Sequence, residues 1–447
     1  MNRQYFGTDG IRGRAGTFPL DPPTVYALGR AAGRILGGAG ATALVAADTR
    51  ESGPWIASHL VAGLKETGVV CLYAGVMPTP AVARLCAEEH YTFGVMISAS
   101  HNPYDDNGIK FFSGDGFKLP DETEHHIETA LDGILSSLPS PPPSAELGEP
   151  LTAPAERYLD WLESLWEGSD LSSFKVVLDC ANGAAHRLAP ALFRRLGATV
   201  SALAWEPDGR NINDRCGSLH TEVLASQVKA EGAHFGFAFD GDADRCLAVT
   251  SQSRVLDGDY ILYREALHRA KRGTLFGRWV VGTVMSNLWL EQALQAERLR
   301  FFRAPVGDRY VLQCMLDRGA VLGGEPSGHV LFLDRATTGD GLLTALHYAA
   351  LARDAGSMDA LAEGIEPYPQ VLSNIRVARR QPLEDLAPVQ AALEEETRRI
   401  QGRGRIVLRY SGTEPLLRLM VEAHTRPEVD GVISRLGKVL RDTLGEA

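Results

Sequence analysis

Three aspartates at alternate positions are the strongest chemical signal in the sequence. They lie in the segment Asp240-Gly241-Asp242-Ala243-Asp244-Arg245, after an apolar run, and alternate residues of an extended chain project to the same side. Three carboxylates on one side suit Mg²⁺, whose other ligands can be waters and a phosphate oxygen. An EF-hand needs Gly and Glu where this chain has Arg245 and Ser251, so a calcium loop is disfavoured. The alternative is an acidic turn that caps the next helix, with Asp244 paired to Arg245.

A serine loop follows another apolar run. Its sequence is Ser98-Ala99-Ser100-His101-Asn102-Pro103, with Lys110 a short distance beyond. Asn-Pro favours a turn, and a serine hydroxyl in such a loop becomes a nucleophile when a base or cation activates it. The alternative is a helix N-cap, which is the commoner role of an isolated serine. The chain has no G-x-S-x-G segment, which disfavours an α/β-hydrolase.

Two further loops carry groups that bind anions or sugars. The segment Arg409-Tyr410-Ser411-Gly412-Thr413-Glu414-Pro415, followed by Arg418, combines guanidinium groups, hydroxyls and a glycine, which suits a phosphate. A solvated hairpin loop explains it equally well. In Gly323-Gly324-Glu325-Pro326-Ser327-Gly328-His329 the acidic and hydroxyl side chains can bind sugar hydroxyls, although a glycine-rich turn is the simpler interpretation. Neither a Walker A segment nor a dinucleotide-binding glycine motif occurs, so nucleotide binding has no support.

The elements that must position these loops alternate between apolar strands and amphipathic helices. This alternation predicts mixed sheets covered by helices, and the proline-rich segment 136–154 predicts a linker or long connection. We predict α/β architecture, with three similar α/β mixed-sheet domains and a smaller C-terminal α+β domain around a central cleft. The predicted boundaries are 1–150, 151–250, 251–366 and 367–447. Among the predicted strands are Thr42–Ala47, Val69–Tyr73, Val95–Ser98, Lys175–Asp179, Trp279–Thr283 and Ile406–Tyr410.

Composition narrows the possible partners and the compartment. The 447 residues carry 45 basic and 56 acidic side chains, and the formal charge of 45 − 56 = −11 disfavours binding to nucleic acid. No apolar run approaches the ~18 residues of a membrane span, and the first residues lack a secretory signal. The six cysteines form no C-x-x-C pair, which favours reduced thiols and a cytoplasmic location over a disulfide framework or zinc site.

Together the four loops, in this order, resemble those of the α-D-phosphohexomutase family. The resemblance covers essentially the whole chain, with one motif in each predicted domain. Further segments that carry it are Tyr5-Phe6-Gly7-Thr8-Asp9-Gly10-Ile11-Arg12-Gly13, Asn211-Ile212-Asn213 with Cys216-Gly217-Ser218, Val306-Gly307-Asp308-Arg309-Tyr310, and Thr337-Thr338-Gly339-Asp340-Gly341.

The resemblance implies an isomerase that moves a phosphoryl group within a hexose phosphate. Ser100 would carry the phosphoryl group, a hexosamine bisphosphate would prime it, and one Mg²⁺ would be held by a phosphoserine oxygen with Asp240, Asp242 and Asp244. The other implied catalytic residues are Arg12 and Lys110, beside the phosphoserine, and His329, an acid/base candidate. The implied substrate-binding residues are His101, Asn102, Arg245, Glu325, Ser327, Arg409, Ser411, Gly412, Thr413 and Arg418, the last five around the phosphate that does not react.

The sugar is the finer question. The resemblance is to the glucosamine branch of the family, which implies interconversion of glucosamine 6-phosphate and glucosamine 1-phosphate on the way to cell-wall amino sugars. The glucosamine-type loop usually reads Glu-Gln-Ser-Gly-His, whereas this chain has Pro326, so a phosphoglucomutase or phosphomannomutase is the alternative. A non-catalytic sugar-phosphate-binding protein would have lost Ser100 or the aspartates, and a metal-dependent phosphatase would release inorganic phosphate. We expect a small phosphosugar as the partner, no nucleic acid or membrane, and a monomer or homodimer.

Overall fold

The structure is a computed structural model that describes residues 4–7, 9–138, 142–167, 169–379, 381–410 and 416–445. The described chain divides into two compact units. The first runs to Thr283 and includes Ala304–Glu363. The second consists of Val284–Arg303 and the chain from Gly364 onward. Each is described separately below.

The first sheet of the first unit is six-stranded and mixed, in the order β1-β2-β6-β5-β3-β4. Strand β3 is parallel to β4 and β5, whereas β6 is antiparallel to β2 and β5. The almost completely buried sequence of β3 is typical of a strand covered on both faces. The elements are β1 (Phe6–Gly7), β2 (Gly10–Arg14), α1 (Pro22–Leu36), β3 (Thr42–Ala47), α2 (Gly53–Glu66), β4 (Val70–Val76), α3 (Thr79–Glu89), β5 (Phe93–Ile97), β6 (Asp106–Ser113) and α4 (Asp121–Leu135).

The second sheet has five strands in the order β11-β10-β9-β7-β8. Strand β7 is parallel to β8 and β9, and β9 forms an antiparallel pair with β10. The turn between β9 and β10 carries the three aspartates. The elements are α5 (Ala153–Ser164), β7 (Lys175–Asp179), α6 (Ala185–Arg195), β8 (Thr199–Leu203), α7 (Thr221–Ala230), β9 (Phe235–Phe239), β10 (Cys246–Thr250) and β11 (Val255–Leu256).

The next part of the chain supplies elements to both units. In the first unit β12 is parallel to β14, and β14 pairs with β15 in an antiparallel hairpin whose turn carries Glu325 and Ser327. Helix α9 and most of β13 belong to the second unit. The elements are α8 (Gly258–Arg272), β12 (Trp279–Thr283), α9 (Leu288–Ala296), β13 (Arg300–Ala304), α10 (Asp308–Arg318), β14 (Leu322–Gly324), β15 (Val330–Phe332) and α11 (Gly341–Ala355).

The C-terminal sheet of the second unit is antiparallel, in the order β16-β18-β17. It packs on two helices through a compact aliphatic core. Within the same unit the buried Glu422 carboxylate accepts the Leu288 N–H at 3.2 Å, which ties the start of α9 to the sheet. The elements are β16 (Gln370–Arg376), α12 (Ala387–Arg399), β17 (Gly404–Tyr410), β18 (Leu416–Ala423) and α13 (Arg426–Leu444).

The predicted fold class is confirmed: parallel and antiparallel pairs coexist in the helix-covered sheets, and a smaller antiparallel sheet with two helices follows. Strands β3, β7 and β12 have the predicted bounds. Strand β4 extends beyond its predicted end to Val76. Within the described residues, no helix is both long and apolar enough to cross a bilayer. All six cysteines lie in the described chain and are free thiols.

A buried polar pair joins α5 to the start of α11. The Tyr158 hydroxyl donates to Asp340 Oδ2 at 2.8 Å, and the other Asp340 oxygen accepts the Leu343 N–H. Burial raises the pKa of Asp340 to about 6. Tyr158→Phe leaves this buried carboxyl group with one donor fewer, so we expect the free energy of unfolding to fall by about 1–3 kcal/mol. Urea denaturation measures this loss. Tyr91→Phe is the control, for which we expect a loss of about 0.5 kcal/mol or less. An equally small loss for Tyr158→Phe would contradict the prediction.

Candidate active site

Ser100 lies just beyond the carboxyl end of β5 and is buried. Its hydroxyl donates to Asp240 Oδ2 at 2.6 Å and lies 3.3 Å from His101 Nδ1. Its φ of 54° lies in the left-handed region, which is uncommon for a residue with a side chain. The next element is strand β6 rather than a helix, so the helix-cap alternative is wrong. The fold thus joins the serine loop of the first sheet to the acidic turn of the second.

The three aspartates form one buried cluster. Carboxylate oxygens of Asp240, Asp242 and Asp244 all lie within 4.8 Å of one another. Because the turn leads into strand β10, it does not cap a helix, although Arg245 Nε does lie 3.7 Å from Asp244. Oδ1 of Asp242 and Oδ1 of Asp244 are buried and have no hydrogen-bond partner among the described residues. Unpartnered hard oxygens in this arrangement fit a divalent cation such as Mg²⁺.

The electrostatics of the cluster differ from one aspartate to the next. Burial raises the pKa of Asp240, and the neighbouring charges of Asp244 and Asp242 raise it further. Burial alone would also raise the pKa of Asp244, but His329 and nearby cations lower it well below its usual value. The cluster therefore combines a crowded carboxyl group next to Ser100 with an ionised one on the opposite side.

Lys110 and Arg12 bring positive charge to the site. The Lys110 ammonium is buried 2.8 Å from Asp242 and 2.9 Å from Asp9. Burial lowers the pKa of Lys110, but these carboxylates outweigh burial and raise it, so the lysine is charged. The Arg12 guanidinium lies 2.5 Å from Asp9 and donates to the Ala99 carbonyl at 3.4 Å, directly beside Ser100.

His329 completes a closed set of charges. Its Nδ1 lies 3.6 Å from Asp244 and its Nε2 lies 3.9 Å from Asp308. Burial would lower the pKa of His329, but these two carboxylates raise it. Lys118 forms ion pairs with Asp308 and Asp9. We call the resulting cycle of ion pairs the charge ring. In order it contains Lys110, Asp9, Lys118, Asp308, His329 and Asp244, and it closes where Asp244 lies 3.8 Å from Lys110. Asp242 is attached to the ring through Lys110.

The other two predicted residues of the serine loop have different environments. Burial, followed by the nearby positive charges of Arg245 and Arg12, lowers the pKa of His101 to about 4. At neutral pH this imidazole is therefore uncharged and can accept or donate a hydrogen bond. The Asn102 amide donates to Asp106 at 2.9 Å, so it is engaged within the loop itself.

The sugar-loop residues Glu325 and Ser327 lie in the tight turn between β14 and β15. The Gly328 N–H donates to the Glu325 carbonyl at 3.1 Å, which places Pro326 second in a four-residue turn. Proline is favoured there, because its fixed φ matches the turn and its missing N–H is not needed. The Glu325 carboxylate accepts the Gly307 N–H at 2.9 Å and the Ser327 hydroxyl at 3.4 Å. The Pro326 departure is therefore accommodated within an ordinary turn.

The predicted phosphate loop belongs to the second unit. Arg409 and Arg418 are directly opposite each other in the β17–β18 register. Both arginines therefore belong to the same end of the hairpin. Ser411, Gly412 and Thr413 lie outside the described residues.

Comparison with known proteins identifies the family. Four protein-family models match successive parts of the chain. The first is described as "Phosphoglucomutase/phosphomannomutase, alpha/beta/alpha domain I" and matches residues 3–137. The models for domain II, domain III and the C-terminal domain of the same family match residues 156–253, 257–368 and 372–436. A phosphoglucosamine mutase of Solibacter usitatus is 47% identical over 454 residues, covering 100% of both chains. The chain belongs to the phosphoglucomutase/phosphomannomutase family.

Other members of the phosphoglucomutase/phosphomannomutase family agree with this. A phosphoglucosamine mutase of Alkalilimnicola ehrlichii is 46% identical over 447 residues, 99% of this chain and 98% of the relative. A solved family structure from Burkholderia thailandensis superposes with a TM-score of 0.79 at 23% identity, covering 98% of this chain and 97% of the other. Aspergillus fumigatus N-acetylphosphoglucosamine mutase, solved with GlcNAc-6P and magnesium, gives 0.64 at 18% identity, with 99% and 96% covered. At these identities the two structures support the fold alone.

The phosphoglucomutase/phosphomannomutase fold also assembles residues that sequence reasoning did not assign. Asp9 and Asp308 occur in segments that carried the family resemblance, but their ion pairs with Lys118 could not be read from spacing. Lys118 had no signal of its own, because it is a single lysine in the connection between β6 and α4, where it forms an isolated β-bridge with Phe112. A buried arginine in the polar turn after β3, Arg50, was likewise unassigned.

Gly339 leaves room for the His329 ring. A Cβ at position 339 would lie 2.5 Å from both Cε1 and Nε2 of that imidazole. We therefore expect Gly339→Ala to displace the ring and lower kcat about tenfold or more, since misplacement of about 1 Å can cost 10²-fold. Steady-state kinetics measure this. Gly133→Ala is the matched control, because a Cβ there meets nothing within 4 Å; equal kcat in the two folded variants would contradict the expectation.

Proposed function

We propose that this protein interconverts glucosamine 6-phosphate and glucosamine 1-phosphate through a phosphoserine at Ser100. The observation that carries the proposal is the 2.6 Å hydrogen bond from the Ser100 hydroxyl to Asp240 within the buried aspartate cluster. Full-length identity of 44–47% to phosphoglucosamine mutases supports the choice of sugar. The enzyme is an intramolecular phosphotransferase of the isomerase class.

The reaction uses two phosphoryl transfers in opposite directions. In the first, the bond between phosphorus and Ser100 Oγ breaks, a bond to the free sugar hydroxyl forms, and the hydroxyl proton passes to a basic group. The bisphosphate then reorients. In the second transfer Ser100 Oγ takes the other phosphoryl group, and the sugar oxygen that it leaves is protonated. Transfer of this kind depends mainly on positioning and positive charge around the phosphoryl oxygens.

Different residues of this chain have different roles in the phosphoryl transfer. Lys110 and Arg12 supply fixed positive charge beside Ser100, and His329 is an acid/base candidate for the sugar oxygen. Asp240, Asp242 and Asp244, with a phosphoserine oxygen, would hold one Mg²⁺, which when bound neutralises charge on the phosphoryl group. The orphaned carboxylate oxygens of the cluster support this metal.

The remaining predicted residues would bind the phosphosugar. We assign Glu325 and Ser327 to sugar hydroxyls, and His101 and Arg245 to the reacting phosphate. Asn102 would contribute to substrate binding chiefly by holding the conformation of the serine loop through its hydrogen bond to Asp106. The phosphate that does not react would be bound by the C-terminal loop, with Arg409, Ser411, Gly412, Thr413 and Arg418.

Domain organisation and cellular setting are part of the same proposal. We propose domain boundaries at 1–150, 151–250, 251–366 and 367–447. The first boundary falls in the gap between the matched family segments 3–137 and 156–253, and the other two lie within a few residues of the gaps after 253 and 368. We also propose a hexosamine bisphosphate primer, a cytoplasmic location, and a monomer or homodimer.

The test compares kcat/KM for glucosamine 1-phosphate, glucose 1-phosphate and mannose 1-phosphate, each with Mg²⁺ and its matching bisphosphate. We expect a clear preference for the amino sugar. A preference for glucose or mannose phosphate would contradict the sugar assignment and leave the phosphoserine mechanism intact. Inorganic phosphate is measured in the same reactions, because its release in large excess over isomerised product would indicate a phosphatase.

A further inference from the structure

The Arg50 side chain is buried directly beneath the serine loop. Its Nη2 donates to the carbonyls of Ser100 at 3.0 Å and Asn102 at 2.8 Å. Its Nη1 donates to the carbonyls of Pro103 and Asp106. Three backbone carbonyls of the serine loop and the carbonyl of Asp106, the first residue of β6, therefore converge on a single guanidinium group.

The fifth N–H of the guanidinium group belongs to a second chain of hydrogen bonds, which reaches the serine loop through Asp48. Arg50 Nε donates to Asp48 Oδ2 at 2.9 Å, and the same oxygen accepts the Ser98 hydroxyl at 2.6 Å. The Ser98 oxygen in turn accepts the Ser100 N–H at 2.9 Å. Since a guanidinium group has five N–H donors, every one of them has an acceptor, and both the N–H and the carbonyl of Ser100 are fixed by the Asp48–Arg50 pair.

This arrangement holds a backbone conformation that serine would not adopt unaided. Ser100 has a φ of 54°, and such a conformation persists only when surrounding contacts impose it. The Ser100 hydroxyl is aimed at Asp240, so the φ angle of this residue decides where the oxygen lies relative to the aspartate cluster.

We propose that Arg50 is a positioning residue for phosphoryl transfer, acting with Asp48 to hold Ser100 Oγ in line with the phosphoryl group it gives and receives. The inference rests on the proposed function of Ser100. Arg50 itself touches no reacting atom, because all its donors are occupied by the loop and by Asp48. Its effect is therefore on the transfer step and not on binding of the sugar.

Arg50→Lys is the direct test. Lysine keeps the positive charge beside Asp48, but it has three donors on a single nitrogen and cannot reproduce the planar fork. We expect kcat to fall about 10- to 100-fold while KM for glucosamine 1-phosphate stays within about threefold, because the predicted sugar-binding groups are unchanged. The ³¹P resonance of phosphorylated Ser100 should also shift, which reports the altered position of the group.

Arg269→Lys is the matched control. Arg269 is another buried arginine, and its guanidinium pairs with Glu265 and Asp334 instead of a loop carbonyl. We expect this variant to lose stability but to keep kcat within about twofold of the parent enzyme, as a change away from the site should. If both variants lost kcat equally, the effect would be general destabilisation and the positioning role would be wrong.

A second variant decides the matter if Arg50→Lys does not fold. The Asn213 amide donates to the same carbonyls of Ser100 and Asn102, at 2.9 and 3.1 Å, from the loop after β8. Asn213→Ala should lower kcat about tenfold with little change in KM. Parental kcat in every folded variant of Arg50 and Asn213 would overturn the inference. Because the parent enzyme and Ser100→Ala are assayed alongside, failure of the proposed function itself would be recognised separately.

Discussion

Ser100→Ala is expected to reduce mutase turnover by more than about 10³-fold, as removal of a catalytic nucleophile does. Without Oγ no phosphoserine forms, and direct transfer between the two sugar positions has no carrier. The aspartate cluster, Lys110 and Arg12 all remain in the variant, so the substrate should still bind. Steady-state turnover of glucosamine 1-phosphate, with binding measured by calorimetry, separates these two effects.

The fold of the Ser100→Ala variant should be intact. Alanine loses the hydrogen bond to Asp240, which costs about 1–3 kcal/mol at a buried group, too little to unfold a chain with several buried cores. Ser226→Ala provides the control, because in the described part of the chain that hydroxyl bonds only within α7, to the Glu222 carbonyl, and its loss should leave turnover unchanged. Turnover of Ser100→Ala within tenfold of the parent would exclude the phosphoserine mechanism.

Metal removal is expected to have the second-largest effect. With the three buried carboxylates within 4.8 Å of one another, the site is poorly arranged for a phosphoryl group unless positive charge is added. We expect a chelator to lower turnover by more than about 10²-fold and added Mg²⁺ to restore it, because each electrostatic contact to a transferring group supplies about 10²–10³ in rate. Activity that is unchanged by the chelator would contradict the metal site.

Asp240→Asn tests the same metal site, because we expect the substitution to lower turnover and to raise the stability of the metal-free protein. Burial and the charges of Asp244 and Asp242 oppose ionisation of Asp240 and raise its pKa; two unit charges about 5 Å apart repel by about 3 kcal/mol at an effective dielectric constant of about 20. Asparagine has nearly the same shape and can still accept the Arg245 N–H and bond to the Ser100 hydroxyl. Without metal we therefore expect the variant to be more stable than the parent by about 1 kcal/mol or more, although its turnover falls by more than about 10²-fold.

Two measurements check the Asp240→Asn expectation. Urea denaturation without metal gives the change in unfolding free energy, and calorimetry with Mg²⁺ gives the loss of metal affinity. Asp160→Asn is the control, because that carboxylate is exposed and, among the described residues, pairs only with Arg195, so neither quantity should change appreciably. Parental Mg²⁺ affinity in Asp240→Asn would show that this oxygen is not a ligand.

The sequence was most informative where the physics is local. Alternation of aspartates after an apolar strand led to the expectation that Asp240, Asp242 and Asp244 share one side, since side-chain direction in extended chain has a fixed period. The structure brings the three together in a turn in which Ala243 has a φ of 56°, so the grouping was predictable from the sequence but the backbone conformation that produces it was not. The bounds of β3 and β7 were predictable for a similar reason, because each is a short apolar run between polar turns.

What the sequence did not reveal depends on contacts between distant segments. Nothing near Arg50 indicates that its side chain will lie under residues 100–106, because that contact requires β3 and β5 to be neighbours in the sheet. Lys118 is a similar case, since its partners Asp9 and Asp308 come from opposite ends of the first unit. The Pro326 departure looked like a change in the sugar loop until the turn showed that proline fits its second position.

The charge ring implies that its members cannot be ranked by single substitutions. Each acidic or basic group has a partner on both sides, so neutralising Lys118, for example, leaves Asp9 and Asp308 with an unbalanced charge that alters the potential at Lys110 and His329. Interactions within such a network are non-additive, with coupling energies of about 0.5–3 kcal/mol between contacting residues. A scan of individual positions would attribute much of the same free energy to each residue in turn. Only double-mutant cycles around the ring would show how the total interaction free energy is divided among its residues. The ring therefore acts as one electrostatic unit of the active site.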